Sequence, residues 1–191
     1  MTQRKIRRTQ ERLFAPHHML LNAARHALEA ARTEPKGSFY GQLSAMTFSA
    51  LALEALSNAI GAAVIKDWKD FDSARPMAKL RILADELGVA YAGDQNPWAT
   101  ARWMMGFRNA IAHAKSEPLE TDEIISERED ENRLFDWPQS KLEREITAGN
   151  AERAFAAVEE IKRLLLDCIP VDKRLGLEVD GATGSSTLHT D

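Results

Sequence analysis

The sequence predicts an all-α fold: an up-and-down helical bundle of four to five helices, with an irregular acidic loop and flexible termini. Three observations carry this. Apolar residues recur at three- and four-residue spacing through most of the chain. Alternating Val/Ile/Thr-rich runs bounded by turns are missing before about residue 119. A long stretch, about residues 38–65, holds one charged side chain, Glu54, as expected of a helix in the middle of a bundle.

The first helix is expected from Pro16 to about Arg32, with Leu20, Ala24, Ala27 or Leu28, and Ala31 as its apolar stripe; Pro35-Lys36-Gly37 ends it. The second, about 38–65, carries small residues at 45, 49, 52, 59 and 63, a stripe that lets another helix come close. Met46, Ala50, Leu53, Ile60 and Val64 form the larger stripe beside it. Ser73 is the expected N-cap of a third helix with Pro76 in its first turn, and Gly88 is its stop. Asn96-Pro97 starts a fourth helix that runs to about Lys115. Residues 119–139 stay ambiguous: Ile124-Ile125 and Leu134-Phe135 read as short strands or as loop anchors. Ser140 with Glu143 reads as a capping box for a short helix. A last long helix opens at Asn150, carries Phe155, Val158 and Leu165 on its core face, and ends before Pro170. The expected division is a basic arm and helix over 1–36, a helical domain over 37–169, and a polar tail without regular structure over 170–191.

A chain of 191 residues fits one domain. A single Cys excludes an internal disulfide framework and multi-Cys zinc sites, and suits a reducing cytoplasm. Cys168 is expected to face the core as a small hydrophobe, and the four Trp (68, 98, 103 and 137) to be core or interface anchors. The basic start is not followed by the apolar run of a secretory signal. Residues 43–65 contain Glu54, Asn58 and several hydroxyls, which favours a buried helix over a membrane span. The net charge of -4 hides a polar distribution: residues 1–36 carry +5, residues 37–115 carry +1 and residues 116–191 carry -10. The run from Glu117 to Glu131 alone has eight carboxylates and one Arg, and reads as a solvated loop or a partner-facing segment.

Most chemical signatures are missing. There is no phosphate-binding Gly-rich loop, no Gly-x-Ser-x-Gly elbow and no zinc-protease His pair. His17, His18 and His26 lack carboxylate or Cys partners at ligand spacing, so no metal is expected. The fourth helix is different. Its Arg108-Asn109-Ala110-Ile111-Ala112-His113 sets Asn109 and His113 four apart on one face, with Arg108 one position earlier. An imidazole moves protons near neutral pH, a guanidinium holds two phosphate oxygens, and an amide orients a phosphate or hydroxyl; together these suit phosphodiester chemistry. The bare Arg-x(4 to 6)-His spacing is expected roughly once by chance here, and Arg12 with His17 supplies such a match. Requiring Asn after the Arg lowers the expectation to roughly one in eighty. The plainer reading is an Arg and a His making ordinary surface or capping contacts near a helix end. Glu54 and Asn58 are also four apart, on the uncharged second helix; Glu54 needs a partner, either Arg108 or His113.

Phe107-Arg108-Asn109-Ala110-Ile111-Ala112-His113 resembles the signature of HEPN domains, the small all-helical domains of many prokaryotic ribonucleases and toxins. The Ala-rich second helix with Glu54 and Asn58 resembles the helix before the motif in that family. The resemblance covers roughly residues 37–169 and is specific only in the motif. It implies a HEPN-like bundle that pairs two-fold, setting two Arg–His motifs across one cleft. It also implies metal-independent, cofactor-free RNA cleavage by attack of the ribose 2′-hydroxyl, in a toxin–antitoxin or phage-defence setting. By that resemblance Arg108 stabilises the phosphate, His113 is the acid/base and Asn109 positions them. Expected partners are RNA, a second copy of the chain and an antitoxin or regulatory protein, with no membrane. Members modified by nucleotidyltransferase antitoxins carry a Tyr two residues after the His, where this chain has Lys115. Many members keep the fold for binding alone, so a non-catalytic protein- or RNA-binding module is the alternative.

Overall fold

The chain runs β1 (Ile6–Leu13), α1 (Pro16–Thr33), α2 (Ser38–Val64), α3 (Pro76–Leu87), α4 (Trp98–Ala112), α5 (Lys141–Glu145), α6 (Ala148–Asp167) and β2 (Gly181–Leu188). Single 3₁₀ turns occur at Trp68–Phe71 and Val171–Lys173. The computed structural model describes residues 6–34, 36–126, 128, 137–174, 176–178 and 181–188. Leu134-Phe135 lies outside the described residues.

Helix α2 is the hub. It packs against α1, α3, α4 and α6, which is why its sequence is apolar on most sides. Met46, Ala50, Leu53, Leu56 and Ile60 are fully buried. Burial of each large aliphatic side chain stabilises the fold by about 1.5–3 kcal/mol. Among the described residues α2 is also the one helix long and apolar enough to cross a membrane. A close approach occurs with α1 at Gly41, a position outside the expected stripe of 45, 49, 52, 59 and 63. A Cβ at Gly41 would sit 2.9 Å from Ala31 Cβ and 3.0 Å from Ala27 O. At the other end Ala15 and Pro16 share a groove with Ala59 and Ala63, so α1 and α2 are antiparallel. Helix α1 buries Leu21, Ala24 and Leu28 in the common core. The first helix thus shares its core with the helices that follow residue 36.

The helical class holds, with one addition. The arm and the tail pair as an antiparallel ribbon, Ile6 opposite Leu188 through Leu13 opposite Gly181. The termini were expected to be flexible, and the tail to lack regular structure. All eight β1 residues are exposed, so no core face imposes apolar alternation on IRRTQERL. The signal on which strand prediction rests is missing for that reason. Two contacts tie the ribbon's base to the bundle. Leu13 packs on Gly176, where an added Cβ would lie 2.3 Å from Leu13 Cδ2, and the φ of +80° there also favours glycine. Buried His17 places Nε2 3.1 Å from Leu177 O.

Helix ends account for the smaller differences. Arg75, not Ser73, is the N-cap residue of α3, before Pro76. Gly88 at φ +66° closes α3, and Val89 N–H donates to Ala84 O at 2.8 Å. Pro97 is the N-cap of α4, while Asn96 Oδ1 accepts from the Thr100 hydroxyl at 2.8 Å. Helix α4 stops at Ala112, three residues before the expected end. The capping box of α5 is present: Ser140 N–H donates to Glu143 Oε2 at 2.8 Å and Ser140 Oγ accepts from Glu143 N–H at 3.1 Å. These bonds hold the Glu143 carboxyl below its usual range; the cap's contribution is present above the ordinary glutamate pKa and is lost as pH falls through the lowered one. Thr147, not Asn150, begins α6, and its hydroxyl accepts from Asn150 N–H at 3.2 Å.

Two burial expectations are corrected, those for Cys168 and for Ile124-Ile125. Cys168 ends α6 exposed, because the core face there is taken by Leu165, Leu166 and Ile169. Of the Trp expected as core or interface anchors, Trp68 and Trp98 are buried and Trp137 is 75% exposed. Ile124 and Ile125 are exposed in irregular chain rather than packed.

Gly106 is an exposed position inside α4 where an added Cβ would meet nothing within 4 Å. Gly106→Ala is expected to stabilise the protein by about 0.5–1 kcal/mol through backbone entropy alone. Thermal melting monitored by circular dichroism checks the sign.

Candidate functional site

Glu54 projects from the otherwise uncharged α2 towards α4, and Arg108 Nη2 donates to Glu54 Oε2. The two side chains are 32% and 25% exposed. Partial burial weakens solvent competition, so the pair is worth more than a surface contact and costs more to break on one side. Of the two partners expected for Glu54, the structure selects Arg108. The guanidinium is not used up by this contact: Arg108 Nε–H is buried without a hydrogen-bond partner among the described residues.

Asn58, one turn along α2, takes a different partner. Its Oδ1 accepts from Lys79 Nζ at 2.9 Å, and Lys79 Nζ also donates to Asp72 O at 3.1 Å. Lys79 is 3% exposed. A buried ammonium held by an amide oxygen and a carbonyl ties α3 and the turn before it to α2. The structure thus brings Glu54 to Arg108 and gives Asn58 to the α2–α3 contact.

Asn109 and His113 are exposed in the last turn of α4. His113 is the C-cap residue, and its N–H donates to Asn109 O at 3.1 Å. The imidazole makes no side-chain hydrogen bond among the described residues, so solvent and ligands reach it. Arg108 and His113 are five positions apart, which puts them about 140° apart around the helix. Within one chain the guanidinium leans on α2 while the imidazole faces outward.

A groove of about 680 Å³ lies between α4 and α5, beside this turn. Its floor is Trp103, Gly106, Phe107, Ala110 and Leu142, and Lys115 and Lys141 are on its rim. Trp103 is fixed on three sides: its indole N–H donates to Glu145 Oε2 at 3.0 Å, Arg153 lies 4.2 Å over its ring, and Phe107 stacks at 6.0 Å. Sequence reasoning did not single out this groove. The spacing 103, 106, 107, 110, 114 does mark an apolar face of α4. What it does not show is that five-residue α5 is too short to cover that face.

No three His, Cys, Asp or Glu side chains converge as a metal-binding group among the described residues. The segment 117–126, the first part of the acidic run, is exposed throughout. Comparison of the chain with protein-family models, curated proteins and solved structures finds no match.

Proposed function

We propose that the protein is a metal-independent endoribonuclease of HEPN type, acting as a homodimer in the cytoplasm. The observation that carries this reading is the division of labour on α4: an exposed imidazole and amide at its end, and a guanidinium braced by Glu54 on its other side. In the proposed reaction His113 of one copy accepts the ribose 2′-hydroxyl proton as the oxygen attacks the adjacent phosphorus. The bond to the 5′-oxygen breaks, and His113 of the second copy returns a proton to that oxygen. Arg108 offsets the charge that develops on the phosphate, and Asn109 orients the phosphate or the attacking hydroxyl. Two-fold pairing supplies the acid and the base from one motif, and brings each Arg108 to the other copy's His113. Glu54 positions Arg108; it is not a catalytic residue. A toxin or phage-defence role, controlled by an antitoxin or regulatory protein, follows from the family resemblance.

The test is direct. Purified protein incubated with RNA in excess chelator is expected to leave fragments ending in 2′,3′-cyclic phosphate, and to sediment as a dimer. Intact RNA across diverse sequences would remove the reading. A second reading, a non-catalytic helical binding module, is favoured by the ion pair that engages Arg108 within one chain. It predicts intact RNA and a His113→Ala variant that keeps every partner contact.

A further inference from the structure

We infer that the β1–β2 ribbon is an arm that binds double-stranded DNA, with the Arg8–Gln10–Arg12 face of β1 set into the major groove. The inference goes beyond the nuclease reading and uses none of its residues. Charge points to the ribbon first. Residues 1–13 hold five Lys/Arg against one carboxylate, Glu11, and residues 181–188 hold no charged side chain. In a chain of net charge -4 this is a local positive site, as expected of a surface that meets phosphate.

Strand pairing then sorts that charge. Side chains alternate between the two faces of a strand, so Arg8, Gln10 and Arg12 share one face while Arg7, Thr9 and Glu11 share the other. The carboxylate is thereby kept off the Arg8–Arg12 face. Opposite these three stand Ser186, Gly184 and Ala182, which are too short to screen them. All eight β1 residues and residues 182–187 are exposed, so a groove can close around the ribbon. Arg12, nearer the bundle, lies 5.2 Å over the Phe14 ring; Arg8 is further out towards the tip.

Shape selects the duplex. Two paired strands about 4.8 Å apart make a ribbon that fits the major groove of B-form DNA, about 12 Å wide. Eight residues reach about 27 Å. The forks of Arg8 and Arg12 match guanine O6 and N7, and the Gln10 amide matches adenine N6 and N7. The major groove of A-form RNA is deep and narrow, and closed to such a ribbon. Single strands are held largely by stacking on aromatic rings, and residues 6–13 and 181–188 contain none.

The test reads binding of the full chain by fluorescence anisotropy. The probe is a short fluorescein-labelled DNA duplex of mixed sequence, beside a 2′-O-methyl RNA duplex of the same sequence, which is A-form and cannot be cleaved. The wild type is expected to bind the DNA duplex and to bind the RNA duplex more weakly. Arg8→Ala should bind DNA about fivefold to a hundredfold more weakly, the usual worth of one guanidinium–base contact. Its melting temperature should not change, because Arg8 is exposed. Arg32→Ala removes the same charge from the far end of α1, where the side chain is 57% exposed, and should bind like the wild type. Absence of wild-type binding to DNA overturns the proposal, as does equal binding of the two duplexes or wild-type affinity in Arg8→Ala. An equal loss in Arg32→Ala would reduce the effect to bulk charge and also overturn it. Vesicles containing phosphatidylserine that displace the DNA, and bind through Arg8, would make the ribbon a membrane contact instead. No arm reads cleavage, so the outcome is separate from that of the nuclease reading.

Discussion

Replacing His113 by alanine is expected to slow RNA cleavage by about 10²–10⁴-fold, the usual range for loss of a positioned acid/base. In the proposed dimer both copies lose their proton carrier at once, which puts the effect at the upper end. Stability should stay within about 0.5 kcal/mol of the wild type, because the imidazole is exposed and makes no side-chain hydrogen bond among the described residues. Single-turnover cleavage together with a thermal melt separates the two quantities. A variant that cleaves at the wild-type rate ends the role given to His113. Arg108→Ala is not an equally clean probe. It leaves the Glu54 carboxylate partly buried beside α4 without its partner, so a loss of activity there mixes chemistry with packing.

The largest stability effect is expected at Gly61. An added Cβ would lie 2.1–2.5 Å from three ring atoms of Trp68. Trp68 is 6% exposed and its ring lies tilted against Phe71 with centroids 5.4 Å apart, so it has little room to retreat. Gly61→Ala is expected to destabilise the protein by about 1–3 kcal/mol, the usual cost of overpacking, despite its gain in helix propensity. At about 2–4 °C per kcal/mol for a chain of this size, the melting temperature falls by several degrees. The same substitution at Gly106 moves it upwards. One chemical change with opposite signs at two helical positions isolates packing from propensity. A rise at both would mean that Trp68 swings aside freely.

The helices and the Glu54–Arg108 pair were legible because each rests on a local rule. Apolar spacing marks a buried face wherever it occurs. A lone carboxylate on an uncharged helix demands a cation, and α4 carried one in the motif. Features that depend on what the rest of the chain leaves uncovered were not legible. Cys168 fits the apolar spacing of α6, yet the helix ends there and turns it outward. Trp137 reads as a core or interface anchor, and its residue type could not tell that it stands 75% exposed rather than in the core. The groove beside Trp103 exists because α5 is short, and helix length is fixed by the cap at Ser140 and the stop at Ile146. Asn58 shares a face with Glu54 as the spacing requires, but the ammonium that claims it comes from a different helix.

The ribbon has a consequence for the order in which the protein assembles. Its register joins Ile6 to Leu188, contacts about as far apart along the sequence as the chain permits. Closing so long a loop is entropically unfavourable until something else has drawn the two ends together. A two-stranded ribbon with both faces of β1 in water gives little in return. Packing of α1 against α2 and of α6 against α2 is therefore the earlier event, since it brings residues 13 and 176 within reach of each other. The strands then zip outward from Leu13 opposite Gly181, and on unfolding they part first while the helices remain docked.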